Sequence, residues 1–236
     1  MYAVWKSTSR VGEAMELGGY NWHIIGEKTD SLTLLMDAGQ IEDMAHCGGS
    51  NNSSNNCTFN GTYYVYSWDK SLINSYLKNT LYTELKNTIP NEIVPVSVCV
   101  DSSRGDGVAT YGGYLKAEID KISGASCNNG YETDYVRLIT YSEYWNLSPY
   151  YSGTNTSYPN VSGITRLSTN SDYANWLYCN SNKCGRSDGF WWIITSFSSR
   201  NSTSDKAAIV VTSSGGFPNS SGEFVYGVRP VITIKK

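Results

Sequence analysis

The chain of 236 residues is short of charge: Asp, Glu, Lys and Arg make up 17% of it, against about 25% in an average soluble protein. Net charge is −3 and no basic run occurs, which argues against nucleic acid as a partner. No apolar stretch approaches the roughly 20 residues that cross a bilayer as a helix. No signal-peptide pattern is present either. The opening MYAVWKSTSR reads as the start of a chain whose export or anchoring segment has been removed, so membrane attachment is expected only through such a missing N-terminal anchor. Histidine is limited to His23 and His46. Neither stands near a G-x-S-x-G elbow, so nucleophile–base chemistry lacks its usual base. A structural role is expected for both. No C-x-x-C spacing occurs, which weakens a zinc reading of the cysteines.

What fills the gap left by charge is Asn, Ser, Thr, Gly and Tyr, on a background that is 40% hydrophobic. That balance suits a neutral exported surface. It also suits contact surfaces that use Tyr for area and Ser and Asn for adaptable hydrogen bonds. The cysteines are Cys47, Cys57, Cys99, Cys127, Cys179 and Cys184. An even count in sequence-near pairs suggests disulfides formed in an oxidising compartment. Many connectivities are open, and the sequential set 47–57, 99–127 and 179–184 is the simplest.

Other chemistry is thinly represented. Carboxylate pairs such as Glu42/Asp43 and Asp101/Asp106 offer the minimum for glycosidase work, as any chain with 21 acidic residues does. The run DSSRGDG, with Asp101, Ser102 and Asp106, has oxygen ligands and a glycine turn that suit a structural Ca2+, but not at EF-hand spacing. The Glu-Pro-Asn and Trp-Asn-Asp motifs of calcium lectins are absent. Arg104-Gly105-Asp106 matches an integrin-recognition tripeptide that also arises by chance. Sequons at Asn60, Asn146 and Asn219 are what an Asn- and Ser-rich chain generates freely.

Along the chain, Tyr20, Trp22 and Ile24 alternate, as do Leu32, Leu34 and Met36, with EKTD as the turn of a hairpin. SWDKSLINSYLKNTLYTELKNTI is the strongest helical segment. Ser67 or Asp69 is its expected cap, Leu72, Ile73, Tyr76 and Leu77 its apolar stripe with Leu81 a further candidate, and Asn79–Thr80 a point of division. Pro95 marks EIVPVSVCV as an edge or bulged strand. DYVRLIT is a strand, and Thr140 and Glu143 form a T-x-x-E capping box. NSDYANWLYC is a further short helix. FWWIITS, KAAIVVTSSG and EFVYGVRPVITI are strands, joined by SSRNSTSD and SSGGFPNSSG. Strands at both ends with helices between them imply an α+β domain.

In FWWIITSF, adjacent residues point to opposite faces. Phe190, Trp192 and Ile194 share one face, and Trp191, Ile193 and Phe197 the other. Either both faces are covered, or one tryptophan is exposed. The expectation is one in the core and one beside a loop face. Phe197, Phe217 and Phe224 lie among small polar residues, where burial would strand backbone groups. The candidate ligand-binding residues are therefore Trp191, Trp192, Ser196, Phe197, Arg200, Asn201, Phe217, Asn219, Phe224 and Tyr226. An aromatic floor ringed by Ser, Thr and Asn suits a protein or glycan.

Taken in order, the W-x-I-I hairpin, SWDKSLINSYL, RLIT-x-x-E, WW-x-x-T-S and the terminal YGVRPVITI resemble a group of bacterial surface domains. That group is similar to the C-type-lectin-like domains of formylglycine-generating enzymes and of diversity-generating-retroelement variable proteins. The resemblance covers residues 18–236, with residues 1–17 as an N-terminal lead-in. It implies a C-type-lectin-like mixed sheet with paired terminal strands, two to three short helices and long irregular loops that present a ligand face. YGVRPVITI would be the closing strand; the alternative is that GVRP is only a strand start, with Arg229 packing or pairing a carboxylate locally. The activity implied is binding rather than catalysis: an adhesin or ligand-binding module, extracellular, anchored at the cell surface or pilus-associated. Its partner would be a protein or glycan on another cell or phage surface. No cofactor is expected beyond the Ca2+ candidate at Asp101 and Asp106. A structural pilus-tip or cell-envelope domain is the alternative, and a degenerate formylglycine-generating-like enzyme a further one.

Bridges across short loops typically contribute about 2–4 kcal/mol each. Non-reducing peptide mapping should find the three sequential bridges and no free thiol. Free thiols throughout, or bound zinc, would overturn both the exported assignment and this pairing.

Overall fold

The computed structural model describes residues 10–45, 68, 71–98, 131–140, 143–144, 147, 176–177, 190–194, 210–211 and 225–236 with their side chains, and the backbone of 58–59, 63–64, 99, 195–197, 207–209 and 219–221. Strands dominate, and helical segments lie between them, which makes the chain α+β.

The main sheet starts from the N-terminal hairpin. Strand β1 (Ala14–Leu17) pairs antiparallel with β2 (Tyr20–Glu27). The two-residue turn between them is Gly18–Gly19, at φ 62 and 84. Two consecutive positive φ values are the signature of a type I′ turn. Gly18 is also fixed by packing: a Cβ there would lie 3.0 Å from Leu85 Cδ2. The sheet thus begins ahead of residue 18, where the sequence reading placed only a lead-in.

The expected 20–36 hairpin is present as β2 and β3 (Ser31–Met36), with Trp22 opposite Met36 and Ile24 opposite Leu34. The register slips by one residue between Ile24 and Gly26. A bulge of this kind resets the alternation, so Ile24 and Ile25 are both buried.

The C-terminal strand completes the sheet. Strand β15 (Pro230–Lys235) pairs with β3 on one side. On its other side it pairs first with β10 (Val136–Leu138) and then with β7 (Ile93–Val94). The path is β1-β2-β3-β15-β10, with β7 also on β15. The C-terminal strand thus joins the N-terminal meander at its third strand, not at its first.

Pro95 acts as its residue type dictates. It separates β7 from β8 (Val96–Cys99), and β8 leaves the main sheet to pair with β9 (Tyr131–Asp134). Tyr135 makes the matching corner between β9 and β10. Two strands thus bend together, at a residue that lacks an N–H and at one that stays outside both ladders.

The helical segment runs from Leu72 to Thr88: α1 (Leu72–Tyr76), a π turn (Leu77–Leu81) and α2 (Tyr82–Thr88). Its cap is Ser71, whose hydroxyl accepts from the Asn74 N–H at 2.9 Å. The expected caps, Ser67 and Asp69, lie outside the described residues. At the expected division, Asn79–Thr80, the chain does not break. It widens into the π turn, with Tyr82 N–H donating to Leu77 O. The buried stripe explains this. Ile73, Leu77, Leu81, Leu85 and Ile89 recur every fourth residue, which overshoots the α-helical repeat of about 3.6. A wider turn midway takes up the excess. Leu72 and Tyr76, expected in the stripe, are only half-buried.

Besides the β8–β9 pair, three smaller sheets complete the β structure of the described residues. Strand β4 (Met44–Ala45) pairs with β14 (Val225–Tyr226), and β5 (Thr58–Phe59) with β6 (Tyr63–Tyr64). Strand β11 (Trp191–Phe197) pairs with β12 (Ala207–Val211), and β12 with β13 (Asn219–Ser221). Two expectations change here. SSGGFPNSSG, read as a connection, supplies β13. EFVYGVRPVITI, read as one alternating strand, is divided into β14 and β15 at Gly227–Arg229.

The helix is tied to the β8–β9 arm by polar contacts. Trp68 Nε1 donates to Asp134 Oδ2 at 2.5 Å, and Asn74 Nδ2 to Glu132 Oε2 at 3.0 Å. Lys78 sits between Glu132 and Asp134 Oδ1, the latter at 3.1 Å. Burial, with Glu132 adding repulsion, raises the Asp134 carboxyl above its ordinary value despite the Trp68 and Lys78 contacts. Burial depresses Lys78, but its two carboxylates outweigh that and leave it raised. A raised acid binds its proton more tightly folded than unfolded. Stability drawn from this group is therefore present at low pH and falls as pH rises from the ordinary value through the folded one. Asp134→Asn should lose that slope, so its stability relative to wild type should climb with pH in denaturant titrations above about pH 4. A parallel or falling difference would show that Asp134 is not raised.

Candidate functional site

The double tryptophan is held by the segment that splits the last strand. Gly227 N–H donates to Phe190 O and Trp192 N–H to Gly227 O, both at 3.0 Å, which makes a parallel bridge between Trp191 and Gly227. A side chain at 227 would meet Trp191 Cβ at 3.1 Å and Phe190 O at 3.2 Å. Only glycine allows backbones this close.

Both tryptophans are fully buried, so of the two arrangements that the strand parity allows, coverage of both faces is the one found. On one face Trp191 meets Tyr144 edge-on at 5.6 Å and the Arg229 guanidinium 4.9 Å above its ring. On the other, Trp192 Nε1 donates to Met44 O at 2.8 Å and its ring lies 5.0 Å from Tyr226. The physical reason is that β11 does not form an outer wall. Its start is sandwiched between the β4–β14 pair and the junction leading into β15.

Arg229 is 1% exposed. Its Nε donates to Met36 O at 3.0 Å and its Nη1 to Leu177 O at 2.9 Å. Burial lowers its pKa to about 10, against the opposing pull of Asp37 and Tyr144, so it remains a cation at neutral pH. It packs locally, as one reading of the sequence expects, and these two hydrogen bonds go to carbonyl oxygens.

Beside it, the His23 ring stacks on Trp176 at 4.2 Å and 4°, with Nδ1 2.5 Å from Asp37 Oδ1. Across the core, the capping box forms as read. Glu143 N–H donates to Thr140 Oγ1 at 3.1 Å, and Thr140 N–H to Glu143 Oε2 at 2.9 Å. The same carboxylate takes both arms of buried Arg137, at 2.7 and 2.5 Å.

Of the other candidate residues, Tyr226 is half-buried in β14 against Phe190 and Trp192. Ser196 and Phe197 end β11, and Asn219 opens β13. The ladders align Ser196 with Ala208 and Ser220, and Phe197 with Ala207 and Ser221. Arg200, Asn201, Phe217 and Phe224 lie outside the described residues. So do Cys47, Cys57, Cys127, Cys179, Cys184, Asp101 and Asp106; Cys99 closes β8, opposite Tyr131. No cluster of three metal-ligating side chains occurs among the described residues.

A pocket missed from the sequence lies elsewhere. Tyr82, Lys86 and Ile89 from α2, Asn91, the segment Ile93, Val94 and Pro95, and Tyr135 and Lys235 enclose about 350 Å3. The Tyr82 and Tyr135 rings stack at 4.5 Å and 17°. The spacing of 82, 86 and 89 on one helical face was a readable signal. The corner that brings Tyr135 to them was not.

An α+β domain built mainly of antiparallel ladders is the class that this fold defines. A family model described as a domain of unknown function (DUF6273) matches residues 33–236, and the chain belongs to that family. No curated protein and no solved structure matches it.

Replacing Arg229 by Met keeps the stem's packing on Trp191 but leaves the Met36 and Leu177 carbonyls buried without their donor. Each such loss costs about 1–3 kcal/mol. Arg229→Met should therefore lower unfolding stability by about 2–6 kcal/mol in denaturant melts. A change below about 0.5 kcal/mol, the scatter of ordinary surface substitutions, would show that the guanidinium does not hold this junction.

Proposed function

We propose that the chain is an extracellular ligand-binding module of adhesin type with a C-type-lectin-like fold. In this reading the β11–β12–β13 ladder and the loops leaving it present Ser196, Phe197, Arg200, Asn201, Phe217, Asn219, Phe224 and Tyr226 to a protein or glycan. The observation that carries it is the ladder register, which draws Ser196–Phe197 and Asn219–Ser221 onto neighbouring rows of one small sheet. Residues 196–197 and 219–221 are far apart in sequence; the segment that carries Arg200 and Asn201 joins Phe197 to Ala207 at one end of the ladder, and the segment that carries Phe217 joins Val211 to Asn219 at the other. The placement of C-terminal β15 beside β3 of the N-terminal meander, within one sheet, supports the fold that the resemblance implies.

Trp191 and Trp192, expected among the ligand-binding residues, are buried at the start of β11. Fully buried, they form the rigid base of the ladder rather than a contact surface. Sites held on rigid elements keep their geometry better than sites on free loops. The loops then supply variety without disturbing the core.

Purified protein would be screened on a glycan array and a panel of bacterial surface proteins, and hits compared with Phe197→Ala and Phe217→Ala. Each variant should bind about 5- to 30-fold more weakly, a loss of about 1–2 kcal/mol, with an unchanged melting temperature. Folded protein that binds nothing, or variants that bind as wild type does, would overturn the reading.

A further inference from the structure

We propose that the groove between α2 and β7 is a second binding site, built for a carboxylate-bearing pyranose such as a terminal hexuronate. It uses no residue of the β11–β12–β13 ladder, so it stands or falls apart from the function proposed above.

Size comes first. The groove encloses about 350 Å3, near the lower end of the roughly 300–1,000 Å3 of small-molecule sites. That is room for one ring rather than for an extended polymer or a nucleotide.

Its walls are of two kinds. Ile89, Ile93, Val94 and Pro95 give an apolar side, and the stacked Tyr82–Tyr135 pair gives an aromatic one. The stack is made before any ligand arrives. Each ring restrains the other, and little side-chain freedom is left to lose on binding. Tyr135 is nonetheless 38% exposed, one of two large hydrophobic residues so exposed among those described. An aromatic face with a hydroxyl tip is apolar on its body and polar at its end, which is the mixed character of a sugar ring. Burial raises the Tyr82 phenol, which stays a neutral donor.

Charge selects the anion. Lys86 and Lys235 both line the groove, and no carboxylate among the described residues does. Neither ammonium takes part in an ion pair among the described residues. By contrast, Lys78 and Lys236 are each matched to an acid. Two uncompensated cations in a chain of net charge −3 form a local field that favours a negative group. Asn91, held at φ 65 beside them, adds an amide with both a donor and an acceptor. Lysines alone would take any anion. The apolar and aromatic walls require that the anion be carried on a ring with apolar faces.

The test uses the full chain, titrated calorimetrically with methyl glucuronide, methyl glucoside, inorganic phosphate and benzoate. The glucuronide should saturate one site and bind at least about tenfold more tightly than the other three. Lys86→Ala with Lys235→Ala should weaken it about tenfold or more, and Tyr135→Ala likewise. These side chains are exposed or nearly so, and melting temperatures should confirm that the variants fold. Tyr135→Phe, which keeps the stack, should retain most of the affinity. Equal binding of the glucoside would remove the role of charge. Tighter binding of phosphate would remove the role of the ring, and tighter binding of benzoate would make the ligand a planar acid. Unchanged affinity in the lysine or Tyr135→Ala variants, or no glucuronide binding at about 50 mM, the range of nonspecific association, would overturn the site.

Discussion

A guanidinium buried over an indole decides how the two ends of this chain meet. Arg229 lies against Trp191 and donates to carbonyls of Met36 and Leu177. These contacts join the entry of the closing strand, the end of the N-terminal hairpin, a helical turn and the start of β11. A lone cation at this depth would be costly, so its hydrogen bonds must be in place for the strand to enter. Gly227, two residues earlier, makes the approach possible by having no side chain to hold β11 away. The chain segments WW and YGVR are thus halves of one contact.

A second polar knot repeats the principle on β10. Arg137 is buried and bidentate to Glu143, whose carboxylate also closes the capping box with Thr140. One carboxylate orders the exit of a core strand and starts the next helical turn. Breaking such a pair leaves a charge buried without its partner, which costs more than the intact pair contributes. Both knots bind backbone groups as well as side chains. They fix where the chain turns and not merely how well it packs.

Features governed by local rules could be read from the sequence. The β2–β3 hairpin followed from alternation, the T-x-x-E box from capping chemistry, and the break at Pro95 from its missing N–H. Features governed by neighbours distant in sequence could not. The bulge at Ile24–Gly26 defeats simple parity. The Leu77–Leu81 π turn answers to a stripe whose spacing only the sheet enforces. The last strand alternates without interruption in sequence, yet divides at Gly227–Arg229 because Trp191 occupies the space beside it. Likewise, parity showed that Trp191 and Trp192 face opposite ways, but not that Met44, Tyr226, Tyr144 and Arg229 would cover both sides. The Tyr82–Tyr135 stack depends on a corner shared by two strands 40 residues apart, counting from Pro95 to Tyr135, and no local pattern encodes it.

Burial of both tryptophans bears on where recognition can reside. Large aromatic residues are the usual anchors of binding surfaces, but here the two largest are spent on holding β11 in place. In the proposed reading, contact falls to residues beyond the start of the strand, in a stretch of sequence rich in Ser, Thr and Asn. Surfaces of that composition bind through many adaptable hydrogen bonds rather than through one deep pocket. The groove at Tyr82 and Tyr135 has the opposite character, with rings prearranged and charge placed, and it suits one small rigid ligand. If both proposals hold, a single α+β scaffold carries a broad surface and a narrow one, built from different strands.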